Sequence, residues 1–103
     1  MIIVTGAVTA QPDRFEDLLE ACLAHVTRSR TEAGCVSHAV HIDAENPLRL
    51  FFYEQWESME ALKTHFRQPD ANAFMIAMRE LTAHQEKMQI RAVADVLSGD
   101  PAR

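Results

Sequence analysis

The sequence predicts an α+β fold: a ferredoxin-like β-α-β-β-α-β order, with a four-stranded antiparallel sheet carrying its helices on one face. Three observations predict it. Residues 35–43 and 48–56 alternate as strands about the turn signal Ala44-Glu45-Asn46-Pro47, an antiparallel hairpin. Stretches of helical period lie on both sides of that hairpin. Strand-like stretches open and close the chain, at residues 2–9 and 84–96.

In order, the first strand sets Ile2, Val4, Gly6 and Val8 on one face and Ile3, Thr5, Ala7 and Thr9 on the other. Gly6 marks a bulge or a close approach to the backbone. Gln11-Pro12-Asp13 opens the first helix, in which Phe15, Leu18, Leu19, Cys22, Val26 and Ser29 form one amphipathic face. Gly34 ends the connection to the second strand. There Val36, His38, Val40 and Ile42 share a face, opposite Cys35, Ser37, Ala39, His41 and Asp43. The third strand holds four of the seven aromatic residues: Phe51, Phe52, Tyr53 and Trp56. Within it stands Glu54, an acid in an apolar run that needs a partner or a raised pKa. His38, His65 and Arg91 are the candidate partners.

Ser58 caps the next helix, with Met59, Leu62 and Phe66 pointing one way and Ala61 and His65 slightly around the cylinder. Gln68-Pro69 breaks that helix. Asp70 is placed to cap a further one bearing Phe74, Ala77, Met78 and Leu81. The last strand runs from about His84 to Val96. Residues 1–96 read as one domain and 97–103 as a C-terminal tail.

At 103 residues with 48% apolar and 24% charged composition, the chain has the makings of one globular domain. A net charge of −5 and no basic stripe argue against nucleic acid. The N-terminal residues carry neither a signal peptide nor a membrane span, so a cytoplasmic setting is expected, with Cys22 and Cys35 reduced. No metal constellation stands out, although five scattered histidines leave one open. The third strand is apolar on both sides. A sheet covered once by its own helices and again by a second copy explains this, so a homodimer through the sheet face is expected.

Glu54-Gln55-Trp56-Glu57-Ser58, followed by Ala61-Leu62, His65 and Pro69, resembles the antibiotic biosynthesis monooxygenase (ABM) family. Glu32-Ala33-Gly34-Cys35 is similar to that family's lead into its second strand. The resemblance covers about residues 1–96. It implies a dimeric α+β barrel, and it implies monooxygenation of a small phenolic or quinol substrate by O2 with no cofactor. An isomerase or other proton-transfer enzyme on the same scaffold, or a non-catalytic dimeric binding module, is the alternative. There are departures. Many members have Pro-His where this chain has Pro69-Asp70. Polyketide-tailoring members have Asn where this chain has Phe52. The haem-degrading members' strand-one Asn is absent, with His65 at their helix Trp and Met75 near their later His.

Cofactor-free oxygenation asks for a dry apolar pocket, a proton acceptor and a donor for developing negative charge. His65 is the candidate base, because imidazole titrates near neutral pH. Trp56 is its catalytic companion, stacking on substrate and offering an indole N–H. His38, Phe52, Glu54, Phe66, Phe74 and Met78 are the candidate substrate-binding residues. Each has a plainer reading as packed core or dimer contact, as do His41 and Tyr53. His25 and His84 receive no role.

Overall fold

The computed structural model describes residues 1–96 and Gly99. Its elements are β1 (Ile2–Ala10), α1 (Phe15–Ser29), β2 (Cys35–Asp43), β3 (Asn46–Trp56), α2 (Met59–Phe66), α3 (Pro69–Leu81), β4 (Thr82–Gln85) and β5 (Gln89–Ala92). The sheet runs β2-β3-β1-β4, with β5 also paired to β1, and all pairings are antiparallel. This is the α+β, ferredoxin-like arrangement that the element order predicts. The tail expected at 97–103 lies, Gly99 apart, outside the described residues.

The alternation of β1 and β3 decides the layers. Val4 pairs with Glu54, Gly6 with Phe52, Val8 with Leu50, and Ile2 with Trp56. These residues face the helices. Their apolar members form two clusters: Val8, Leu50 and Phe52 with Leu18, Cys22, Val26, Met78 and Leu81, and Ile2, Val4 and Trp56 with Leu62. Ile3, Thr5, Phe51, Tyr53 and Gln55 take the other face and stay half-buried by their strand neighbours alone.

Several expectations need correction. The last strand is not continuous. Glu86 still donates its N–H to the Ala7 carbonyl, but residues 86–88 leave the ladder between β4 and β5. The Met88 backbone passes Gly6 there, and a Cβ built at Gly6 would lie 3.9 Å from Met88 Cα. In β2, the pairing jumps from Cys35–Trp56 to Ser37–Gln55. A bulge at Val36 therefore turns Cys35 into the helix-side core and leaves Val36 exposed.

α1 starts at Phe15, not at Pro12-Asp13, which sit in the preceding turn. α2 buries Leu62 and His65, whereas Met59 and Phe66 are exposed. Ser58 caps it as expected, accepting from the Ala61 N–H at 3.2 Å. Pro69 occupies the first turn of α3, so Asp70 is no cap. Its carboxylate instead lies 3.5 Å from Arg28 Nε. Cys22 and Cys35 are free thiols. Among the described residues no helix is long and apolar enough to cross a membrane.

Candidate active site

Three buried imidazoles meet between the sheet and the helices. His25 comes from α1, His38 from β2 and His65 from α2. Their ring centroids lie 5.4 Å (His25–His38), 5.3 Å (His25–His65) and 6.0 Å (His38–His65) apart. The α1 spacing explains His25: it follows Leu18 by seven and Cys22 by three, so it shares their buried face. Among the described residues no group of three or more His, Cys, Asp or Glu is arranged to hold a metal ion.

Each imidazole has a different partner. His65 Nδ1 lies 2.9 Å from Glu32 Oε1. A carboxylate only accepts, so Nδ1 carries the hydrogen and Nε2 is left as the basic atom. His38 is sealed, with neither ring nitrogen hydrogen-bonded, and its Nε2 stands 3.6 Å from Glu54 Oε2. Burial, then His25, His65 and Arg30, lower its pKa to about 3. His25 stacks on Phe74 with centroids 3.9 Å apart and planes within 7°. Burial first, then His65 and Arg28, lower its pKa to about 4. Both rings are therefore neutral at pH 7.

Glu54 is buried beside them. Trp56 Nε1–H donates to its Oε1 at 3.0 Å. Burial raises its pKa, and the Trp56 hydrogen bond opposes that. Of the three partners open to it in the sequence, His38 is the one in reach. Arg91 pairs with Ile3 on the opposite face of the sheet.

An apolar cavity of about 390 Å³ opens alongside, with Val4, Val8, Phe52, Phe74, Met75 and Met78 among its walls. Its polar inner wall is His25 and Glu54, and residues 85–88 close the other side. A smaller cavity of about 140 Å³ shares His25, Glu54, Phe74, Met75 and Met88 and adds His65 and Phe66. A third, of about 160 Å³, lies between His25, His65, Glu32 and Arg28.

A family model described as antibiotic biosynthesis monooxygenase matches residues 1–77. The chain belongs to the ABM family. An uncharacterized protein of Synechocystis sp. is 28% identical to this ABM chain over 94 residues. The match takes in 91% of this chain but 64% of that protein, so the chain spans less than two thirds of its relative. Among solved structures, Rv0793 of Mycobacterium tuberculosis superposes with a TM-score of 0.85 at 25% identity, over 94% of this chain and 98% of that one. PA3566 of Pseudomonas aeruginosa gives 0.82 at 26% identity, over 91% and 94%. A Deinococcus radiodurans protein gives 0.90 at 21% identity, over 97% and 99%, a likeness of fold.

The residues singled out in this ABM sequence are thus gathered unevenly. Phe52, Glu54, Phe74 and Met78 line the larger cavity, and His65 and Phe66 line the smaller one. Trp56 and His38 line none of these three. Trp56 is fully buried with its N–H committed to Glu54, and its ring packs 4.8 Å from that of His65. Two site residues escape the sequence reading. The helical period of α1 could have found His25. Glu32 stands in a loop, where no periodicity points; in the sequence it marks only the lead into the second strand, and its contact with His65 gives it a role.

Proposed function

We propose that this chain is a cofactor-independent monooxygenase that oxidises a small phenolic or quinol substrate with O2. The observation that carries the reading is the cavity of about 390 Å³, walled mainly by apolar side chains, with Glu54 and His25 on its inner wall and Gln85, Glu86 and Lys87 on the far side. It adjoins a smaller cavity lined by His65, whose Nδ1 is held by Glu32. The substrate sits against Phe52, Phe74 and Met78. His65 Nε2 takes the phenolic proton, and Glu32 holds the ring's orientation and stabilises the imidazolium. Trp56 keeps Glu54 in place behind the cavity.

The phenolate gives electrons to O2 and a carbon–oxygen bond forms at the ring. His65 returns its proton to the peroxide. Loss of the ring C–H proton and cleavage of the O–O bond release hydroxide, which leaves as water. One oxygen atom enters the quinone and the other enters water. All four electrons come from the substrate, so no external reductant is needed. The dry walls favour this course by excluding water from the anion and the oxygen adduct.

Residues 1–96 form the catalytic domain in this reading, and two copies associate through the outer sheet face. The test is 1-naphthol with ¹⁸O2. We expect one labelled oxygen in the quinone and no turnover without O2. His65→Ala should lower kcat by about 10²–10⁴-fold, and Glu32→Gln should lower it less. Unchanged oxidation by His65→Ala would remove His65 as the base. Turnover of a substrate without O2 would instead favour proton transfer or isomerisation on this scaffold.

A further inference from the structure

The same cavity holds a group that the proton transfer does not use. His25 lines all three cavities, at about 390, 160 and 140 Å³. Neither of its ring nitrogens has a hydrogen-bond partner among the described residues. Nδ1 is fully enclosed, which leaves Nε2 as the atom open to the cavities. The ring cannot easily swing away, because Phe74 stacks on one face and His38 and His65 pack at 5.4 and 5.3 Å. Two polar atoms beside it are already engaged. His65 Nδ1 is held by Glu32, and Glu54 Oε1 is held by Trp56.

We propose that His25 is the specificity-determining residue of the cavity: its Nε2 hydrogen-bonds the hydroxyl of an aromatic ligand and so selects hydroxylated rings over apolar rings of the same shape. The inference rests on the reading above for its substrate class. Walls of Val, Phe and Met accept an aromatic ring whatever its substituent. Discrimination must come from a polar atom that loses its partner when the hydroxyl is missing. A neutral imidazole suits this role, since it can accept from a phenol or donate to a phenolate without carrying a charge into the pocket. His25 is neutral at pH 7 through burial and through the nearby His65 and Arg28.

The test uses a shape-matched pair, 1-naphthol and 1-methylnaphthalene, under anaerobic conditions so that nothing is turned over. Affinities come from equilibrium dialysis of the wild type, His25→Leu and His25→Gln. We expect His25→Leu to lose about tenfold in affinity for 1-naphthol and to stay within about twofold for 1-methylnaphthalene. His25→Gln, which keeps a polar group, should retain part of the preference. Should His25→Leu not fold, ¹⁵N spectra of the wild type decide: the His25 Nε2 resonance should shift with 1-naphthol and not with 1-methylnaphthalene. Equal losses for both ligands, an unchanged affinity ratio, a shift common to both, or no binding of either to the wild type would each overturn the assignment. Selective binding without aerobic oxidation would sink the monooxygenase reading alone. Oxidation with an unchanged ratio in His25→Leu would sink this inference alone.

Discussion

A carboxyl with a raised pKa beside two imidazoles with lowered ones makes the buried cluster sensitive to pH in opposite senses. His25 and His38 have folded pKa values of about 4 and about 3, against 6.5 for an exposed histidine. Between about pH 4 and 6.5 the unfolded chain therefore binds more protons at these two positions. Their contribution to stability is intact above pH 6.5 and falls as the pH drops through that window. Glu54 has the opposite sign, because its raised folded pKa lets the native state take up a proton first on acidification. It offsets part of the loss. Urea unfolding at pH 7 and pH 5 should show a clear drop in stability at the lower value. Glu54→Gln tests the sign directly. Glutamine still accepts from Trp56 Nε1 and carries no buried charge. At pH 7 it should be at least as stable as the wild type, within about 1 kcal/mol, and it should lose more on going to pH 5. A larger loss at pH 7 would mean that Glu54 is ion-paired with a charged histidine.

The loop between α1 and β2 is the element on which the proton acceptor depends. Gly34 has φ of +85°, the left-handed region that glycine enters at little cost. A Cβ there would lie 2.4 Å from the Ala61 Cβ on α2. The Gly34 carbonyl also accepts from the Glu57 N–H at 2.8 Å, so the loop is clamped against the start of α2. That clamp brings Glu32 to His65. Gly34→Ala should cost about 2–4 kcal/mol through backbone strain and steric overlap, measured by urea unfolding. Any folded fraction should show impaired turnover, because Glu32 moves with the loop. Wild-type stability in this variant would mean that α2 yields freely. The sequence conveyed this element only in part. A glycine before an alternating strand is readable, and so are the period of α1 and the cap at Ser58. The bulge at Val36 is not, because it changes which residues face the core without changing the alternation itself. The break between β4 and β5 is equally silent, since Met88 and Ile90 continue the alternation past the point where the pairing stops. His25 was legible in principle: a polar residue on an apolar helical face is either a satisfied core residue or part of a site. Only its convergence with His38 and His65, from three elements far apart in the chain, distinguishes the two.

At the scale of the whole molecule, the sheet has one face under helices and one face that no element among the described residues covers. On the open side lie Ile3, Thr5, Ala39, Phe51 and Tyr53, with Ser37 bonded to Gln55 at 2.8 Å. Arg49 bounds this patch at the hairpin end, paired to Asp43 and Glu86 at 2.9 and 2.7 Å, with its guanidinium 5.8 Å from the Phe51 ring. An apolar strip of Ile3, Ala39, Phe51 and Tyr53, flanked by the polar Thr5, Ser37 and Gln55, is suited to a second copy of itself, because a two-fold axis places each strip on its equal. Sedimentation at micromolar concentration should therefore give twice the chain mass of 11.6 kDa. Tyr53→Glu should shift the species to monomer, with dissociation strengthened by at least about 100-fold, since an unpaired carboxylate buried in the contact costs several kcal/mol. Tyr53 is only half-buried within its own chain, so the fold should survive, which circular dichroism checks. The cavity beside His25 opens on the other face of the sheet, with walls drawn from this chain. The Tyr53→Glu monomer should thus still bind 1-naphthol with near wild-type affinity. A wild type that sediments as a monomer would leave the apolar strip to another partner, and loss of binding in Tyr53→Glu would mean that the second copy helps shape the pocket.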